Sequence, residues 1–116
     1  MIIEFYKYHG TGNDFVLIDN RSLFFDKNNL ELISKICSRH TGVGADGLIL
    51  LENHSQYDFK MIYFNSDGKQ TSMCGNGGRC VISFAKKLNI IDDNVTFLAI
   101  DGLHEGIIND DIIKIK

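Results

Sequence analysis

The chain reads as an α+β domain built on a mixed, mainly antiparallel sheet. Helix-like and strand-like apolar patterns alternate through most of its length, and three strand-like segments then follow one another with no helix between them. With 116 residues it is long enough for one domain that buries roughly two thirds of its unfolded surface.

The elements can be justified in order. Ile2 to Tyr8 is rich in β-branched and aromatic residues and predicts a strand; Asp14 to Asp19 predicts a second, joined to it by His9-Gly10-Thr11-Gly12-Asn13. Asn28 is placed to cap a helix, with Glu31 completing a capping box. Leu30, Ile33, Ile36 and Cys37 recur at helical spacing toward an end near His40, which makes Cys37 a core residue. Gly47 to Glu52 suits a short buried strand and Tyr57 to Asn65 an alternating one, followed by turn chemistry in Ser66-Asp67-Gly68. A second helix follows Cys74, with Val81, Ile82, Phe84, Ala85 and Leu88 on one side. Val95 to Ile100, His104 to Ile108 and Ile112 to Ile115 then form a meander, punctuated by Asp101-Gly102 and Asn109-Asp110-Asp111. The chain stops inside that last strand pattern, which predicts a fragment of a longer protein.

Composition narrows the function classes. A formal net charge of -3 with scattered lysines and arginines argues against a nucleic-acid partner, which would need a basic stripe. No apolar run is long enough to span a membrane and the N-terminus lacks a signal-peptide pattern, so a cytoplasmic location is expected. Three cysteines at spacings of 37 and 6 make neither a disulfide framework nor a zinc pattern, so no metal is expected.

Nine of the eleven glycines fall in four short loops. The most informative is Met73-Cys74-Gly75-Asn76-Gly77-Gly78-Arg79-Cys80. It sets a thiol at the start of a helix, where the positive end of the macrodipole and unpaired N–H groups favour thiolate and suit a substrate carboxylate. Cys74 is therefore expected at the first turn of the second helix, facing a cleft; the bland alternative is a buried cysteine after a flexible turn. Cys80 reads as packing or as support for the site. Asn13, Asn65 and Asn76 each lie in or beside a glycine loop. A carboxamide can donate to a carboxylate and accept from an ammonium. Singly each suits a turn; together with Cys74 they point to a small zwitterionic substrate. His9 reads as a structural hydrogen-bonding residue. Gly42-Val43-Gly44-Ala45-Asp46-Gly47 has no Gly-Lys-Ser/Thr ending and precedes a strand, so it is not a phosphate loop. Asp46 there caps or bridges the loop.

Four blocks, His9–Phe15, Thr41–Gly47, Phe64–Gly68 and Met73–Cys80, in this order and spacing, resemble the N-terminal half of diaminopimelate epimerase. The resemblance implies one of two similar domains, each a helix wrapped by sheet, with a cleft between them and the C-terminal domain absent from this chain. It implies cofactor-independent inversion of LL-2,6-diaminopimelate to the meso isomer, for lysine and peptidoglycan precursor synthesis. Each half supplies one cysteine; Cys74 matches the first, and Asn13, Asn65, Gly75 and Asn76 match substrate-binding positions. Some members place a substrate-contacting glutamine where this chain has Gly47. The same fold implies two related alternatives, a cysteine-dependent amino-acid racemase and a phenazine-pathway isomerase, the latter disfavoured by Cys74. A non-enzymatic alternative is an inactive half-domain that binds amino acid or serves as an assembly partner. A homodimer is a further possibility.

Overall fold

The computed structural model describes residues 2–10, 12–72, 75–110 and 112–115. In chain order the elements are β1 (Tyr6–His9), β2 (Asp14–Asp19), α1 (Leu30–Cys37), β3 (Gly47–Glu52), β4 (Phe59–Asn65), β5 (Gln70–Thr71), α2 (Gly75–Lys87), β6 (Asn94–Ala99), β7 (Gly102–Asn109) and β8 (Ile112–Ile115). The strands form one sheet in the order β1-β2-β3-β4-β6-β7-β8, with β5 paired to β4 off this path. Among the described residues, only β2 with β3 and β4 with β6 are parallel. A parallel pair needs a crossover, and the two helices supply it: α1 between β2 and β3, α2 between β4 and β6. The expected mixed, mainly antiparallel α+β architecture is the one observed.

The helices lie on opposite faces of the sheet. Phe15 and Leu17 of β2, Ile49 and Leu51 of β3, and Phe59 and Met61 of β4 pack with Val81, Ile82, Phe84 and Ala85 of α2. Their neighbours Val16, Ile18, Leu48, Leu50, Ile62 and Phe64 pack with Ile33 and Cys37 of α1. The period-two alternation of a strand thus feeds two cores, which is why β2 and β3 read as unbroken apolar runs. Tyr6 and Tyr8 of β1 set their rings 5.0 and 5.9 Å from Phe84, while Ile113 and Ile115 of β8 pack on the same cluster. Both ends of the sheet therefore bend toward α2.

Several boundaries differ from the sequence reading. Strand β1 starts at Tyr6, not Ile2, and β4 at Phe59, not Tyr57; β7 begins at Gly102, two residues before His104. The two-residue β5 has no sequence signal. Asn29, not Asn28, caps α1: its side chain accepts the Leu32 N–H at 3.0 Å, while the Asn28 N–H donates to Asp26 Oδ1. The Asp26 turn takes the amide of Asn28 and moves the helix start one residue on. Helix α1 ends at Cys37 because Ser38 is extended and its hydroxyl accepts the N–H groups of His40 and Thr41.

The Gly42–Gly47 segment has a structural task. Gly42 donates to Ser38 O, Gly44 to Ile36 O and Ala45 to Cys37 O, so the loop satisfies the last carbonyls of α1. A Cβ on Gly42 would stand 2.0 Å from Lys35 O, so glycine is required for this approach. Among the described residues, no helix is long and apolar enough to cross a membrane.

Candidate active site

The strand directions bring the glycine loops to one end of the sheet. His9 ends β1 opposite Asp14, which starts β2; Phe15 of β2 is level with Gly47 of β3, and Gly47 is level with Asn65 at the end of β4. Between β1 and β2, Gly10 N–H donates to Asn13 O at 2.8 Å, and Gly10 rests on the start of α2. A Cβ on Gly10 would meet Asn76 Cβ at 2.8 Å, so this glycine lets the loop lie directly on the helix.

Asn13 and Asn76 meet there. Asn76 Nδ2 donates to Asn13 Oδ1 at 2.8 Å, and Asn13 Nδ2 donates to Asp46 Oδ2 at 3.2 Å. Arg79, one helical turn beyond Asn76, makes a long contact of 3.4 Å from Nη1 to Asn76 Oδ1. Gly75 is the exposed first residue of α2, and a Cβ on it would stand 3.5 Å from Arg79 Nη1. Asn65 does not join this group. It is exposed, and its backbone closes the turn before β5 through Lys69 O and the Gly68 N–H. It stands on the far side of β3 from Asn13, roughly 10 Å away at ordinary strand spacing. Cys74 lies outside the described residues.

Beneath Asn13 is an ion-pair cluster that the sequence reading found only in part. Asp46 bridges as expected, accepting the Asp14 N–H at 3.1 Å as well as the Asn13 amide. Arg39 reaches both oxygens of Asp14, at 2.9 and 3.1 Å, and Asp46 Oδ1 at 3.3 Å. Lys7 Nζ lies 3.1 Å from Asp14 and also bonds Gly44 O. Hydrogen bonding by Arg39, reinforced by Lys7 and the Asp46 N–H, holds the Asp14 carboxyl well below the usual carboxylate range despite the opposing effect of partial burial. Nothing in the spacing marked Lys7, Arg39 or Arg79; the alternation of β1, which turns Lys7 away from α2, was the only available hint.

Two concavities flank the meeting point and share His9 and Gly10. One, about 360 Å³, is lined by Asn13, Asp14, Arg39 and Asp46; the other, about 410 Å³, by Tyr8, Asn76, Arg79, Cys80 and Ser83. His9 is exposed at their junction. Cys80 is buried in the α2 core, in keeping with a packing role. Cys37 is buried on the other face, where loss of solvation, with the charge of Asp14 adding, pushes its thiol up to about 11. Gly47 leaves no room for a side chain without movement: a Cβ would stand 2.8 Å from Phe64 O and 3.1 Å from the Tyr63 hydroxyl. A glutamine contact from this position is therefore not available to this chain.

The family model described as diaminopimelate epimerase matches residues 5–113. The diaminopimelate epimerase of Flavobacterium psychrophilum is 62% identical over 115 residues, covering 98% of this chain and 45% of that protein. That of Aquifex aeolicus is 41% identical over 123 residues, covering 98% of this chain and 44% of its own length. The chain thus spans a little under half the length of these curated relatives. Among solved structures, a PhzF-family phenazine biosynthesis protein from Enterococcus faecalis superposes with a TM-score of 0.77 at 8% identity, over 97% of this chain and 43% of that one. A probable proline racemase from Agrobacterium radiobacter does so with a TM-score of 0.68 at 17% identity, over 94% and 38%. These two share the fold.

Proposed function

Since the chain belongs to the diaminopimelate epimerase family, we propose that it is the N-terminal half of a cofactor-independent epimerase. The reaction is inversion at one α-carbon of LL-2,6-diaminopimelate to give the meso isomer, a step of lysine and peptidoglycan precursor synthesis in the cytoplasm. Cys74 is one of two acid–base thiols, the other coming from a second domain outside this chain. The observation that carries the reading is the seating of Gly10 on the first turn of α2, with the Asn13–Asn76 hydrogen bond beside it, immediately after Cys74 in the sequence.

The chemistry explains why such a helix start is useful. An α-proton is far less acidic than a thiol, whose ordinary pKa is about 8.5, so a lone thiolate in water does not remove it. Inversion needs a thiolate on one face of the carbon and a thiol on the other, one taking a proton while its partner delivers another. Negative charge developing toward the substrate carboxylate must be met by donors already in place. The N–H groups at the start of α2 point the way a helix terminus offers them to an anion. Asn13 and Asn76 hold the reacting amino-acid end, and Asn65, across β3, reaches along the substrate chain.

The test is deuterium incorporation in D₂O. Full-length protein with both halves should place one deuterium at the α-carbon of LL-diaminopimelate with inversion. The isolated 116-residue chain should exchange negligibly, because it lacks the second thiol and a closed, water-excluding cleft. No exchange by the full-length protein would remove the reading. Robust turnover by the isolated monomer would remove the division of the thiols between two domains; sedimentation would distinguish this from a homodimer pairing two Cys74 side chains.

A further inference from the structure

We propose that Asp46 and Arg79 are positioning residues that fix which way the carboxamides of Asn13 and Asn76 face. This rests on the reading that those two asparagines bind substrate.

A carboxamide is planar, a donor on one side and an acceptor on the other, and reversing it exchanges the two with almost no change of shape. Left alone, an asparagine could present either side to a zwitterion, and only one suits a given substrate group. Here reversal is opposed from both ends. A carboxylate only accepts, so Asp46 requires the Nδ2 side of Asn13, which lies 3.2 Å away. That turns Asn13 Oδ1 toward Asn76, whose Nδ2 answers at 2.8 Å. Asn76 Oδ1 is then directed to Arg79, and a guanidinium only donates. Reversing either amide would set donor against donor or acceptor against acceptor at both of its contacts in the chain. Asp46 is itself held by Arg39 at 3.3 Å and by the Asp14 N–H at 3.1 Å, so this end cannot swing aside freely. The direction of the chain decides which edge of each amide offers a donor to a carboxylate and which an acceptor to an ammonium. Neither Asp46 nor Arg79 is buried, so core packing does not account for their placement.

Two variants of the full-length protein test this. Asp46→Asn keeps the shape but can face Asn13 with either its oxygen or its nitrogen; Arg79→Met removes the donor at the other end. In both, the side-chain ¹⁵N–¹H₂ signals of Asn13 and Asn76 should shift and exchange faster with solvent. KM for LL-diaminopimelate should rise about tenfold or more while kcat changes less than about threefold, since binding is lost and the acid–base thiols are untouched. Arg79→Lys, which keeps a cationic donor, should recover most of the KM. Carboxamide signals and KM both unchanged in the two variants would overturn the proposal, as would signals that move while KM stays put. If one variant fails to fold, by backbone amide dispersion, the other decides. Absence of epimerisation in the wild-type protein would instead remove the proposed function, and the carboxamide signals alone would then decide whether the chain is directed as described.

Discussion

Helix α1 starts on Asn29, whose carboxamide accepts the Leu32 N–H, and carries Glu31 in its first turn; α2 starts at Gly75-Asn76-Gly77-Gly78 with no acid in that turn. In α1, side chains meet the positive end of the macrodipole, and the helix packs Ile33 and Cys37 against the sheet. In α2 the asparagine of the first turn reaches sideways to Asn13 instead. The two asparagines thus do different work: one closes its own helix, the other joins a neighbouring loop. The thiols follow the same division. Cys37 is the last residue of α1, at the negative end and buried, and both circumstances disfavour thiolate. Cys74 directly precedes α2 in the sequence.

The comparison can be broken at several points. The largest effect is expected at Cys74: Cys74→Ser in the full-length protein should lower epimerisation by about a hundredfold to ten-thousandfold, with an unchanged circular dichroism spectrum. An active serine variant would refute the assignment of the thiol. Next is the core under α2. Phe84 is fully buried against Tyr6 and Tyr8, and Phe84→Ala should cost about 3–5 kcal/mol, read from denaturant midpoints.

Asp14→Asn sharpens the role of the ion-pair cluster. Because the folded carboxyl titrates below its ordinary value, the stability it contributes is complete above the unfolded pKa of about 3.9 and is lost as pH falls toward the folded value. The variant should be less stable than wild type by about 2 kcal/mol near neutral pH, and the two melting curves should converge in acid. A difference as large at pH 2 as at pH 7 would mean that the effect is not electrostatic. The smallest effect separates the two candidate caps of α1: Asn29→Ala should cost about 1 kcal/mol, whereas Asn28→Ala should stay within about 0.5 kcal/mol. The reverse order would restore Asn28 as the cap.

Legibility in the sequence followed how local the cause was. Strands β2 and β3 were readable to the residue because both faces are buried and the chain must be apolar throughout. The start of β1 was not, since Ile2 to Phe5 has strand-like residues but β2 offers pairing only from Tyr6 onward. The cap of α1 was misread by one position because Asp26, two residues upstream, competes for the Asn28 amide. At the site, glycine loops and asparagines could be recognised individually, but the same signal marked Asn65, so it did not foretell that Asn13 would meet Asn76. That Asn65 stands apart depends on β3 lying between, a fact of topology. Arg39 and Lys7 reach Asp14 across three elements, and no spacing along the chain encodes such a contact.

The most direct measurement of the central claim is a competition among thiols in the full-length protein: iodoacetamide at pH 8, with modification mapped by mass spectrometry and epimerisation followed in the same samples. Cys74 should be alkylated first, in step with loss of activity, and diaminopimelate should slow it. Cys37, pushed up to about 11, should remain unmodified on that timescale, and buried Cys80 should react late. Activity lost while Cys74 is still free, or Cys37 reacting as fast as Cys74, would contradict the account.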